Sequence, residues 1–135
     1  MEWKEGDYKI SNDHSLLSTE KTWALLSKTY WASNRSREVV EKSIKHSICY
    51  GVYHRKEQIG FGRIITDHAT TYYICDVVLD EKYRGRGLGK KLMECMMKYD
   101  NLSNIYGMLS TRDAHELYGQ YGFVRAEKAF MHRIR

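Results

Sequence analysis

TYYICDVVLDEKYRGRGLGKKLMECMMKY, residues 71–99, is the stretch whose reading decides the fold. Its first part, 72–79, is rich in β-branched and aromatic residues and predicts a buried strand. From Leu88 the apolar residues Leu88, Leu92, Cys95, Met96 and Tyr99 recur at helical spacing, with Lys90, Lys91, Glu94 and Lys98 on the opposite face, which predicts an amphipathic helix. Between the two lies Arg84-Gly85-Arg86-Gly87-Leu88-Gly89. Glycine lets the backbone turn sharply and lets a ligand approach the main chain, because no Cβ intervenes. A loop that opens directly into a helix also presents unpaired N–H groups and the positive end of the helix dipole. With full charges from Arg84, Arg86 and Lys90, the combination suits a phosphate.

Two other glycine loops are excluded by spacing. A P-loop, G-x-x-x-x-G-K-[ST], would need glycine at Arg84 and Ser or Thr at Lys91; a dinucleotide fingerprint starting at Gly85 would need glycine at Lys90. What remains is R-x-x-G-x-G, formed by Arg84, Gly87 and Gly89 after a strand and before a helix. It resembles the acyl-CoA-binding signature of the GNAT acetyltransferase superfamily. A second motif lies in Thr111-Arg-Asp-Ala-His-Glu-Leu-Tyr-Gly-Gln-Tyr-Gly-Phe123. It is similar to the late helix of that superfamily, in which an alanine precedes a hydrophobic-tyrosine pair and the helix ends in Gly-Phe. The two motifs stand in the family's order and spacing, and the resemblance covers 48–123. It implies an α/β (α+β) fold: a central mixed, mostly antiparallel sheet of about six to seven strands, a parallel pair flanking the CoA site, and about four helices.

The length of 135 residues suits one domain, 1–135. No run approaches the roughly 20 apolar residues of a membrane span, and the N-terminus lacks the apolar core of a signal peptide, so a cytoplasmic protein without a membrane partner is expected. Cys49, Cys75 and Cys95 are widely spaced within apolar segments and read as small buried hydrophobes. The six histidines show no ligand spacing, so no metal is implied. A net charge of +5 and a pI near 9.1 raise the question of nucleic acid. The basic residues alternate with acidic ones except at the glycine loop and its helix, where a polyanionic small molecule accounts for them equally well, and no nucleic-acid partner is expected.

Along the chain, 7–11 suits a short strand. Ser18 suits the N-cap of a helix over 18–31, with Trp23, Leu26 and Tyr30 as its apolar residues and Leu25 beside them. Ser36 suits the cap of a second helix to about 46, with Val39, Val40 and Ile44 as its buried stripe. Residues 48–54 and 58–66 predict a hairpin, 72–79 a third strand, and 104–110 a strand parallel to it across the helical crossover. Asp113 and Glu116 have the spacing of a capping box, and 126–135 alternates like a terminal strand.

The family resemblance implies specific roles. Acetyl-CoA would be the cosubstrate, held by the backbone of Val77, Val78 and Leu79 at the thioester carbonyl and by Arg84, Gly85, Arg86, Gly87, Leu88, Gly89 and Lys90 at the pyrophosphate. Thr111 and Ala114 would complete the site; Thr111 stands where many members have a cofactor-contacting asparagine. Tyr118 would protonate the leaving thiolate. Asp76 is the candidate base, with Asp67, Glu57 or a water chain as competitors. Tyr30, Trp31, Arg35 and Tyr73 would line a groove for a small-molecule or peptide amine. No feature distinguishes a protein N-terminus from a lysine, polyamine, aminoglycoside or metabolite, and a homodimer is compatible with this reading but not required by it. The competing class is a non-catalytic acyl-CoA sensor or interaction module.

Overall fold

The computed structural model describes residues 2–100 and 102–134. Six strands form one sheet in chain order: β1 (Glu2–Glu5), β2 (Tyr8–Ser11), β3 (Ile48–His54), β4 (Glu57–Thr66), β5 (Thr71–Leu79) and β6 (Tyr106–Leu109). Neighbours are antiparallel except β5 and β6, which are parallel. The helices are α1 (Thr19–Leu26), α2 (Arg37–Lys45), α3 (Leu88–Met97) and α4 (His115–Gly119). No helix among the described residues is long and apolar enough to cross a membrane.

Strand side chains alternate between faces, so the sheet supports two cores. Leu88, Leu92, Met93 and Met96 of α3 pack with Tyr50, Val52, Ile64, Tyr72 and Ile74. Leu25 and Leu26 of α1 and Val40 and Ile44 of α2 pack with Cys49, Phe61 and Val78. A buried polar link ties α1 to the sheet: Gln58 accepts from the Ser18 N–H at 2.9 Å and donates to the Thr22 hydroxyl at 2.8 Å.

Both serine caps form, Ser18 Oγ accepting from the Lys21 N–H and Ser36 Oγ from the Val39 N–H. Ser36→Ala should therefore lower unfolding stability by about 1 kcal/mol, read as a shift in urea midpoint at constant slope. An unchanged midpoint would mean that the cap does not hold α2.

Four expectations need correction. First, α1 ends at Leu26 rather than near Trp31, because hydroxyls compete with the helical ladder. Ser27 Oγ donates to the Trp23 carbonyl, Thr29 Oγ1 donates to the Leu26 carbonyl and accepts from the Ala32 N–H. Tyr30 and Trp31 consequently stand on a loop. Second, Val39 is exposed, because Val40 and Ile44, four residues apart, alone define the inward face of α2. Third, α4 begins at His115, one residue too late for Asp113 and Glu116 to form a capping box; Thr111 Oγ1 accepts from the Ala114 N–H instead. Fourth, 126–134 forms no strand. Its Ala-Glu-Lys-Ala run favours helical turns, and Glu127–Ala129 is a 3-10 turn that breaks the alternation. Arg135 lies outside the described residues. A strand not foreseen, β1, reads EWKE, a charged edge with little apolar signal.

Candidate active site

The glycine loop is built from both ends. Asp80 Oδ1 accepts from the Lys82 N–H and its carbonyl from the Tyr83 N–H, forming the 3-10 turn Glu81–Tyr83 that delivers Arg84. Gly85 and Gly87 both have φ of +79°, a conformation that side chains with Cβ resist. Gly87 is the N-cap of α3 and offers no capping side chain; its carbonyl accepts from the Lys91 N–H, closing the first turn. The amides that open α3 thus have no intrahelical acceptor. Above Gly85 and Gly87 the space within 4 Å of a built Cβ is open.

The three cations expected to serve this loop divide. Arg86 lies over the Tyr83 ring at 5.4 Å and donates to the Tyr8 hydroxyl at 3.0 Å. Tyr8 stacks on His54, which hydrogen-bonds Tyr83 at 2.9 Å, so Arg86 fastens the loop to β2 and β3. Arg84 and the Lys90 ammonium have no ion-pair partner among the described residues.

Next to the loop, the sheet opens. The β5–β6 ladder runs from Thr71 opposite Tyr106 to Ile74 opposite Leu109 and stops, while β5 continues to Leu79. On its other edge β5 carries a bulge: Phe61 faces Val78 and Arg63 faces Cys75, leaving Gly62 opposite both Asp76 and Val77. Asp76 takes φ of +56°, a region Asp tolerates better than most residues. The extra residue turns Asp76 toward α1 and α2 and sends Val77 and Leu79 back to the α3 core. Val78 is buried in the other core. Residues 77–79 can therefore offer a ligand backbone groups, not side chains.

α4 and the turn after it pack on the α3 side of the sheet. Tyr118 packs edge-on to Phe123, which meets Tyr72, and the Tyr121 hydroxyl donates to the Lys90 carbonyl at 3.0 Å, tying the late segment to the first turn of α3. Burial raises the Tyr118 phenol above its ordinary pKa, and Tyr30 and Asp113 nearby add to the effect.

An acetyltransferase (GNAT) domain model matches residues 45–125, which include the loop, the opened strand and α4. The chain belongs to the GNAT acetyltransferase family. A GNAT-family protein of Xanthomonas campestris is 34% identical, with a TM-score of 0.90 over 98% of this chain and 96% of that one. SA2161 of Staphylococcus aureus is 28% identical, with a TM-score of 0.82 over 95% and 98%. FG08082 of Gibberella zeae, an acetyltransferase by name, is 28% identical over 87% of this chain and 79% of its own length.

In this GNAT acetyltransferase, two of the residues expected at the acceptor groove, Trp31 and Arg35, converge on Asp76. Trp31 Nε1 donates to Asp76 Oδ1 at 3.1 Å, and Arg35 Nη1 donates to Oδ2 at 2.7 Å. Arg63, which sequence reasoning missed, donates from Nε to the same Oδ2 at 2.9 Å and from Nη1 to Ser47 at 3.0 Å. Its signal was a lone arginine in an apolar strand beside a strand with a lone aspartate. Tyr73 is half-buried near this cluster, and burial raises its phenol pKa. Tyr30 meets Trp31 edge-on at 5.0 Å and is covered by the Arg112 guanidinium at 3.7 Å.

The carboxylates offered as bases are all engaged. Asp76 is 4% exposed and its oxygens already accept from three donors. Asp67 caps its own turn, where the Thr70 hydroxyl and the backbone N–H groups of Thr70 and Ala69 hold its carboxyl below the ordinary range. Glu57 pairs with Lys21 at the far end of the hairpin. Cys75 adjoins Asp76, but burial pushes its thiol up to about 11, leaving almost no thiolate at neutral pH. Among the described residues no group of three His, Cys, Asp or Glu is placed to hold a metal.

Proposed function

We propose that this protein transfers the acetyl group of acetyl-CoA to a primary amine by direct attack. The observation that carries this reading is a positive-φ glycine loop opening α3 next to the end of β5 that β6 leaves unpaired, with Tyr118 packed on the same core cluster as Val77 and Leu79. Acetyl-CoA, when bound, supplies an activated thioester. The backbone amides at 85–90 fit its pyrophosphate, because Gly85 and Gly87 leave the space above them open and Arg84 and Lys90 add charge. Thr111 holds the start of α4 through its cap on Ala114.

Those N–H groups within 77–79 that point to the open edge suit the carbonyl oxygen, where negative charge develops during acyl transfer. Tyr118 donates its hydroxyl proton toward the sulfur. Its raised pKa keeps the phenol protonated at neutral pH, so the donor is always loaded, though a weaker acid than free tyrosine. Asp76 acts as an anchor for Trp31, Arg35 and Arg63, and the amine proton leaves through water. A thiol held near 11 at Cys75 favours direct attack over an acetyl-cysteine route.

The test is binding. Acetyl-CoA should raise the melting temperature in proportion to ln(1 + [L]/Kd), and desulfo-CoA, which shares the pyrophosphate, should do the same. No shift with either at millimolar concentration, and no heat in calorimetry, would refute the reading.

A further inference from the structure

We infer that the acceptor is an amine carrying an anionic group, a carboxylate or a phosphate, which Arg35 and Arg112 bind beside Trp31. This rests on the transferase reading above and names its substrate class. At the Asp76 bulge one buried carboxylate holds two guanidinium groups on the same oxygen. Arg63 is the inner partner, its side chain 10% exposed and its second donor spent on Ser47. Asp76 and Arg63 balance one another. Arg35 is the surplus cation, and its side chain is 24% exposed.

Guanidinium has five N–H donors in a planar fork, and only the Nη1 bond to Asp76 occupies that of Arg35 among the described residues. The rest of the fork suits an oxyanion in two-point contact. A half-buried surplus charge is unfavourable unless an anion balances it. Arg112 adds a second cation to the same patch, its guanidinium over the Tyr30 ring, which in turn meets Trp31 edge-on. Tyr30 also lies near Tyr118, so the patch borders the reacting centre. Tyr30 and Trp31 are 51% and 41% exposed and supply apolar walls between the two cations. Against these stand Asp76, which Arg63 already balances, and Asp113, which acts on Tyr118 nearby. A polyamine or lysine side chain would bring further positive charge to a patch already in excess of it.

The experiment compares matched acceptors with the full chain and acetyl-CoA, following free thiol: α-amino acids against their carboxamides and decarboxylated amines, glucosamine 6-phosphate against glucosamine, and spermidine. In the carboxylate arm or the phosphate arm, the anionic member should show kcat/KM at least roughly tenfold above its neutral partner, the scale of one charge-assisted hydrogen bond. The arm that responds identifies the anion. Arg35→Gln should raise KM for that member roughly tenfold or more, leave the acetyl-CoA KM unchanged, and bring the ratio between partners toward one. Arg112→Gln, at an exposed site that cannot unfold the sheet, should shift the ratio in the same direction by less. Equal or better turnover of neutral or cationic amines overturns the inference and leaves the transferase standing. Loss of activity by both variants alike toward charged and neutral partners also overturns it. Binding of acetyl-CoA without thiol release from any acceptor overturns both.

Discussion

Gly87→Val is expected to abolish measurable acetyl-CoA binding, weakening it by at least roughly a hundredfold, while the protein stays folded. At φ of +79° an L-residue with a branched Cβ is strained by about 1–2 kcal/mol, a small part of the stability of a domain this size. The larger effect falls on the site. Beyond its chain neighbours no protein atom lies within 4 Å of a Cβ built at Gly87, so the valine side chain would fill the space proposed for the pyrophosphate rather than clash with the fold. If the loop relaxed to negative φ, the amides opening α3 would turn away from the ligand. Calorimetry with acetyl-CoA, beside a melting curve, reads the result. A folded variant with the wild-type Kd would remove the loop from the binding site.

The second large effect is expected at Tyr118. Tyr118→Phe should lower the single-turnover rate by roughly 10²–10⁴-fold with little change in acetyl-CoA affinity, since the lost contact belongs mainly to the transition state. The pH dependence separates this role from a base. Burial holds the phenol above its ordinary pKa of about 10, so its proton is retained between pH 6 and 9. In that range the neutral fraction of an amine with pKa of ~10.4 rises about tenfold per unit. The rate at subsaturating acceptor should rise with it in the wild type and, at a lower level, in Tyr118→Phe. A stable variant with the wild-type single-turnover rate would make Tyr118 a packing residue only.

The parts of this molecule that were legible in its sequence are those whose signal is local. Ser18 and Ser36 announce helix starts because their hydroxyls cap amides three residues on. The glycine loop announces itself because positive φ admits few other residues. The bulge at Asp76 was hidden. It shifts pairing by one residue, yet 71–79 still alternates evenly between half-buried and buried side chains, so no pattern of residues betrays it. The early end of α1 was obscured in another way, since Ser27 and Thr29 are tolerated in helices and act only through the backbone carbonyls they happen to reach. That ending is what leaves Tyr30 and Trp31 on the loop whose Trp31 reaches Asp76. Arg63 escaped notice because its partner lies 13 residues away on the neighbouring strand, a pairing that register decides. At 126–134 the alternation was real but insufficient, because a strand also needs a continuous run with a partner edge.

The most direct measurement of the central claim is a single turnover with the protein in excess over acetyl-CoA and the best acceptor of the matched panel present at saturation. Free CoA thiol, acetylated amine and intact protein mass are followed together. Direct transfer predicts one acetylated amine for each thiol released and no acetyl group on the protein at any time. Thiol release without acetylated amine, or an acetyl group appearing on Cys75 before product, would contradict the account.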